Sequence, residues 1–186
     1  MNKWVIGARV KTLPAAVSPV LIGTFYASEV NWINALLALI VSLSLQIAVN
    51  YANDYSDGIR GTDTDRVGPI RLVASGLASA KSVKRASYIS FLFAVVAGSL
   101  LSLNISLWLI PVGGISILAA WGYTGGKQPY GYLGFGEFSV FIFFGLVATV
   151  GSYYVQSEQL NWQILLLSVP VGLLSCAILV INNLRD

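Results

Sequence analysis

Side chains able to hold a metal ion gather at two places in the sequence. One is the run NYANDYSDGIRGTDTD at Asn50–Asp65, and the other is NNLRD at Asn182–Asp186. If a helix continues through the first run, Asn53 and Asp57 stand at i and i+4, while Asn50, Asp54 and Asp57 stand at i, i+4 and i+7. Either set presents oxygens along one stripe. Asp63 and Asp65 follow in the loop. Carboxylates at a helix C-terminus oppose the helix dipole, and clustered anions repel each other. A divalent cation relieves both problems. Oxygen donors in a chain without histidine suit a hard ion such as Mg2+, which binds through one or two carboxylates together with substrate phosphates. The competing reading is a solvated loop whose acids pair with Arg60 and Arg66.

A second segment suits an anion. YTGGKQPYGYLG, starting at Tyr123, surrounds Lys127 with Gly125, Gly126, Gly131 and Gly134. Backbone can approach a ligand closely at glycine, and a lysine is a point charge suited to phosphate oxygens. Tyr123, Tyr130 and Tyr132 serve there either as pocket walls or as interfacial anchors. The segment lacks the Walker A pattern, so it is not a P-loop. Arg71, in GPIRLVASG, is a further candidate for substrate contact, against the plainer role of a topology signal.

Long apolar segments position these residues. Six stretches, at about 12–28, 33–53, 86–104, 105–122, 136–156 and 162–183, are each expected to be long enough to cross a bilayer as helices. They do not alternate as barrel strands would. With the N-terminus inside, the inner pieces hold all eleven Lys and Arg, while the outer face carries Glu29 and Glu158. That distribution follows the positive-inside rule. Spans two and six then run in the same direction, so their acidic ends share one cytoplasmic mouth. The Lys127 loop opens on the same side. Gln46 is the main polar residue deep in span two and is expected to face the bundle interior.

Composition agrees with this. The chain has 186 residues, 56% hydrophobic and 10% charged, and its mean hydropathy is +0.74. That is too little charge to cover a water-facing surface. It argues against nucleic-acid binding, which wants a basic solvated face. The single cysteine, Cys176, lies in an apolar run, so no disulfide framework exists. The expected fold class is an all-α polytopic membrane bundle forming one domain, with the lipid bilayer as its surroundings. A diphosphate head at the charged rim and a hydrocarbon tail among the helices would fit this arrangement.

These residues resemble the UbiA superfamily of membrane prenyltransferases. The resemblance is carried by ARVKTLPAAVSPVLIGT at Ala8–Thr24, NYANDYSDGIRGTDTDRVGPIRLVASG at Asn50–Gly76, YTGGKQPYGYLGFGE at Tyr123–Glu137 and NNLRD at Asn182–Asp186. It implies a nine-helix bundle with Mg2+ held by two Asp-rich motifs. On this sequence those supply Asn53, Asp54, Asp57 and Asp186 as metal ligands, with Asn50, Asp63 and Asn182 as further candidates. Gly61 stands where the superfamily often has another Asp, and Asp63 is the nearest substitute. Tyr123 and Lys127 match the YxxxK element, which makes Lys127, Arg60 and Arg71 the implied diphosphate contacts and Tyr123, Lys127 and Arg71 the implied catalytic residues. The implied reaction joins the prenyl group of a polyprenyl diphosphate to 1,4-dihydroxy-2-naphthoate with loss of CO2, giving demethylmenaquinone at the cell membrane. Against nine helices, six spans ending at Asp186 imply a truncated chain with little activity alone. A sister enzyme with another aromatic acceptor is the nearest rival reading, and a small membrane transporter is the rival of a different class.

Overall fold

The structure is a computed structural model of the full chain. It describes all residues except 1, 63–67, 127 and 186, together with the side chain of residue 185. The described residues form helices joined by turns. We label them α1 (Lys3–Ala8), α2 (Pro14–Tyr26), α3 (Trp32–Arg60), α4 (Ala80–Asn104), α5 (Leu109–Gly122), α6 (Gly136–Ser157) and α7 (Trp162–Arg185).

Each expected apolar segment contains a helix, but the helices differ in reach. α3, α4, α6 and α7 are long and apolar enough to cross a membrane. α1 and α2 form a pair bent by 51° and count as a fifth span if taken together. The bend follows from Arg9, which leaves the helical region at φ 51°, and from Pro14, which starts α2. α5 has 14 residues, about 21 Å of rise, and is shorter than a hydrocarbon core. Exposed Leu103, Trp108, Leu118 and Leu174 clothe the outside, as a lipid-facing surface requires.

The second segment differs from expectation at its end. The apolar run stops near residue 53, yet α3 continues to Arg60. Asn31 caps its start, accepting from the backbone N–H groups of Ile33 and Asn34. Gly61 ends it in the left-handed region at φ 73°, donating to Asp57 O. The polar run Asn50–Arg60 is therefore a rigid extension of a membrane helix.

The helices surround an interior space with apolar packing at either end. At one end, Val20, Ala38, Leu101 and Val155 join α2, α3, α4 and α6. At the other, Tyr51, Leu72, Ala78 and Val83 form a second cluster with Trp4 and Ile6 of α1 against it. At this second end the ammonium of Lys84 lies over the rings of Tyr55, Tyr88 and Trp121, at 5.1, 5.7 and 5.9 Å from their centroids. These cation–π contacts draw α3, α4 and α5 together just before the Tyr123 loop begins. Inside α6, Phe141–Val147 is wound as a π-helix. There Gly145 meets Gly172 of α7 so closely that an added Cβ would lie 2.8 Å from the Gly172 Cα.

Candidate functional site

The site is assembled on the polar extension of α3. Asp54 is 1% exposed, and its two carboxylate oxygens accept the backbone N–H groups of Leu72 (2.7 Å) and Val73 (3.0 Å). Leu72 is fully buried. Gly58 receives Val73, whose Cβ would lie 2.5 Å from any Cβ added there. The loop after residue 67 is thus fastened to α3 at its backbone. That fastening delivers the neighbouring Arg71, also buried, to Asp57, with Nη2 3.4 Å from Oδ2.

The Gly-rich segment is fastened in the same way. Arg60 donates from Nη1 to Thr124 O (2.6 Å) and from Nη2 to Gly126 O (2.7 Å). Its guanidinium lies 5.6 Å from the ring centroid of Tyr132. Thr124 donates its hydroxyl to Asn53 Oδ1 at 2.6 Å. Tyr132 donates its phenol to Asp57 Oδ1. Burial and this hydrogen bond push the Tyr132 phenol up to about 12, so it stays protonated at neutral pH. Tyr123 also reaches about 12, through burial first and then the negative charge of Glu137.

A third set of contacts fixes the bend between α1 and α2. Asn50 donates from Nδ2 to Ala8 O at 2.9 Å and to Thr12 Oγ1 at 3.2 Å. Gln46, buried as expected, donates from Nε2 to the same Thr12 hydroxyl at 3.2 Å. The Thr12 hydroxyl in turn donates to Arg9 O at 2.9 Å.

These contacts border one cavity of about 830 Å³. Asn50, Asn53, Asp57, Arg71, Tyr123 and Asn182 all line it, so the ends of α3 and α7 do share a mouth. Asp54 and Arg60 are not among its lining residues. The expected stripe of Asn50, Asp54 and Asp57 is therefore divided. Asp57 faces the cavity, Asp54 serves the loop backbone, and Asn50 borders the cavity while holding the α1–α2 bend. The physical reason is that backbone N–H groups of a buried loop need acceptors, and Asp54 is the acid within reach. Lys127, Asp63 and Asp186 lie outside the described residues. Among the described residues, no group of three or more His, Cys, Asp or Glu side chains converges to hold a metal.

Two contributors escaped the sequence reading, and a third was seen without its role. Thr124 and Thr12 carried no signal, being lone threonines in polar stretches. Tyr132 was a candidate wall residue, and only the folded loop brings its phenol onto Asp57.

Deeper residues of the cavity, such as Leu45, Val49, Val112, Phe144 and Val147, are apolar. A charged mouth above an apolar shaft, inside helices long and apolar enough for a bilayer, defines a membrane protein with an amphipathic cavity.

The chain belongs to the UbiA prenyltransferase family, whose pattern it matches over residues 16–186. It is 54% identical to the 1,4-dihydroxy-2-naphthoate octaprenyltransferase of Mycobacterium tuberculosis, an alignment covering 99% of this chain and 64% of that protein. The Escherichia coli protein of the same name is 39% identical, with 98% of this chain and 63% of the relative covered. That of Bacillus subtilis is 34% identical, with 96% and 58% covered. The chain thus spans less than two thirds of the length of these curated relatives.

Proposed function

We propose that the protein transfers a polyprenyl group from polyprenyl diphosphate to 1,4-dihydroxy-2-naphthoate, releasing diphosphate and CO2. The product is demethylmenaquinone in its reduced, quinol form. The observation that carries this reading is the single cavity with Asp57, Asn53 and Arg71 at one end and apolar walls beyond. The names of relatives 54% and 39% identical supply the acceptor and the polyprenyl donor.

Residues at the mouth fit a hard divalent ion. Asn53 and Asp57 offer oxygen donors at the cavity edge, and Asn182 lines the same space from α7. We assign Mg2+ to Asn53 and Asp57, completed by Asp186, with Asp63 and Asn182 within the candidate set. When bound, the metal would neutralise charge on the departing diphosphate. Lys127 and Arg71 would hold diphosphate oxygens. Arg71 is already at the carboxylate that the ion would share. Arg60 and Asp54 keep the two loops in place, and Tyr123 remains a protonated hydrogen-bond donor at the mouth.

In the reaction, the allylic C–O bond breaks and its electron pair leaves with diphosphate. The ring carbon bearing the carboxylate forms the new C–C bond. That carboxylate departs as CO2, returning its bonding pair to the ring, so the ring needs no separate base. We place the mouth and the N-terminus on the cytoplasmic face of the cell membrane because, with the N-terminus inside, the inner segments of the sequence hold all eleven Lys and Arg.

The test uses the full-length protein in lipid with labelled octaprenyl diphosphate and, in turn, 1,4-dihydroxy-2-naphthoate, 4-hydroxybenzoate or homogentisate. Product from the naphthoate alone, with chelator-sensitive diphosphate release, is expected. Transfer to a different acceptor, or no diphosphate release, would overturn the reading.

A further inference from the structure

Glycines in this molecule fall into two groups. At Gly23, Gly145 and Gly172 an added Cβ would strike a neighbouring helix, so these glycines permit close helix crossings. Gly98, Gly113 and Gly151 are different. They lie within α4, α5 and α6, and none has positive φ. Among the described residues, a Cβ at Gly113 or Gly151 would meet nothing within 4 Å, and one at Gly98 would meet only Val41 Cγ2, at 3.8 Å. Neither packing among the described residues nor backbone geometry asks for glycine at these positions, where it weakens a helix relative to alanine.

All three line the same cavity. They also share its far end. Gly98 stands opposite Val41, sixteen residues before Asp57 on α3, about 24 Å from the mouth at the helical rise. Gly151 precedes Val155, and Gly98 precedes Leu101, both members of the apolar cluster that floors the cavity. Gly113 lies one turn after Leu109 of α5, which packs against that same cluster. Three walls therefore lack side chains where the shaft is deepest.

We propose that Gly98, Gly113 and Gly151 form a distal collar that sets the length of hydrocarbon tail the protein accepts. The proposal rests on the prenyl-transfer reading and adds to it the residues that measure the donor. A side chain at any of the three would project into the shaft and meet the far isoprene units. The diphosphate and the reacting carbon at the mouth would be left undisturbed.

The test compares Gly98→Leu, Gly113→Leu and Gly151→Leu in the full-length protein with geranyl, farnesyl and octaprenyl diphosphates. Gly114→Leu is the control. It lies on the same helix as Gly113, is equally uncrowded, and does not line the cavity. The collar variants are expected to keep geranyl transfer and lose octaprenyl transfer by about tenfold or more, the scale of pocket discrimination against misfitting apolar groups. Gly114→Leu should keep the wild-type profile. Equal loss for all donors, or an unchanged profile in all three collar variants, would overturn the proposal. Binding of the three donors as S-thiolodiphosphate analogues separates this claim from the reaction itself. A wild-type protein that binds but does not transfer fails the proposed reaction, and a length-selective loss of binding in the variants still upholds the collar.

Discussion

The two ends of the cavity are built on opposite plans. At the mouth, polar side chains tie distant parts of the chain together. Asp54 holds the Leu72 and Val73 amides, Arg60 holds the Thr124 and Gly126 carbonyls, and Thr124 holds Asn53. At the far end the walls are withdrawn, with glycine on three helices where larger side chains would fit. Position matters at the mouth because charge stabilisation depends on donors held in advance of the reaction. On the proposed reaction, vacancy matters in the shaft because a flexible apolar tail would need volume and impose little directional demand. A substitution should therefore act through geometry at one end and through size at the other.

The largest effect is expected at Asp57, the one described acid facing the cavity. Asp57→Asn should lower kcat by about 10²–10³-fold, the usual loss on removing a charge-stabilising group. Prenyl transfer at saturating donor and metal is the measurement, and near-wild-type turnover would remove Asp57 from the mechanism. Arg60→Ala should come next. Arg60 donates to two carbonyls of the Gly-rich segment and does not line the cavity. Displacing that segment should cost about 10–100-fold, comparable to losing an outer-shell partner of a metal site. Arg60→Lys should restore only part of this, since lysine lacks the fork that reaches both carbonyls. A defect in donor KM alone, with kcat intact, would instead favour direct diphosphate binding by Arg60.

Tyr132→Phe should be milder. It removes one hydrogen bond to Asp57 and keeps the ring beneath Arg60, so a loss of about fivefold in kcat/KM is expected. The smallest effect concerns alkaline pH. The Tyr123 phenol is raised from 10.0 to about 12, so folding favours its protonated form. Its contribution to stability should be complete below pH 10 and disappear as pH rises toward 12. Ultraviolet titration of Tyr123→Phe against the parent should lack one late-ionising phenol. If the missing phenol titrates at the ordinary value, the site is wetter than its burial indicates.

Much of the architecture was legible because lipid imposes a single strong rule on sequence. Apolar length was enough to locate the helices, since each expected segment contains one. The end of α3 was harder to place, since hydropathy falls at residue 53 while the helix persists to Arg60. Caps and local contacts, rather than hydropathy, decide where it stops. The acids of the site were visible as a cluster, yet their separate tasks were not. Asp54 and Asp57 are one turn apart and chemically identical, and only the loop packed against Asp54 distinguishes them. The bonds from Arg60 to two carbonyls of the Gly-rich segment were likewise invisible in the sequence.

By itself, the sequence determined that this is a helical membrane protein whose charged and most polar residues are confined to a few short segments, because hydrophobic length and charge placement act locally along the chain. Only the tertiary structure decided which of those groups face the cavity, which hold loops, and where the shaft stands open. Those outcomes depend on contacts between residues such as Asp54 and Leu72, or Arg60 and Thr124, that lie far apart in sequence.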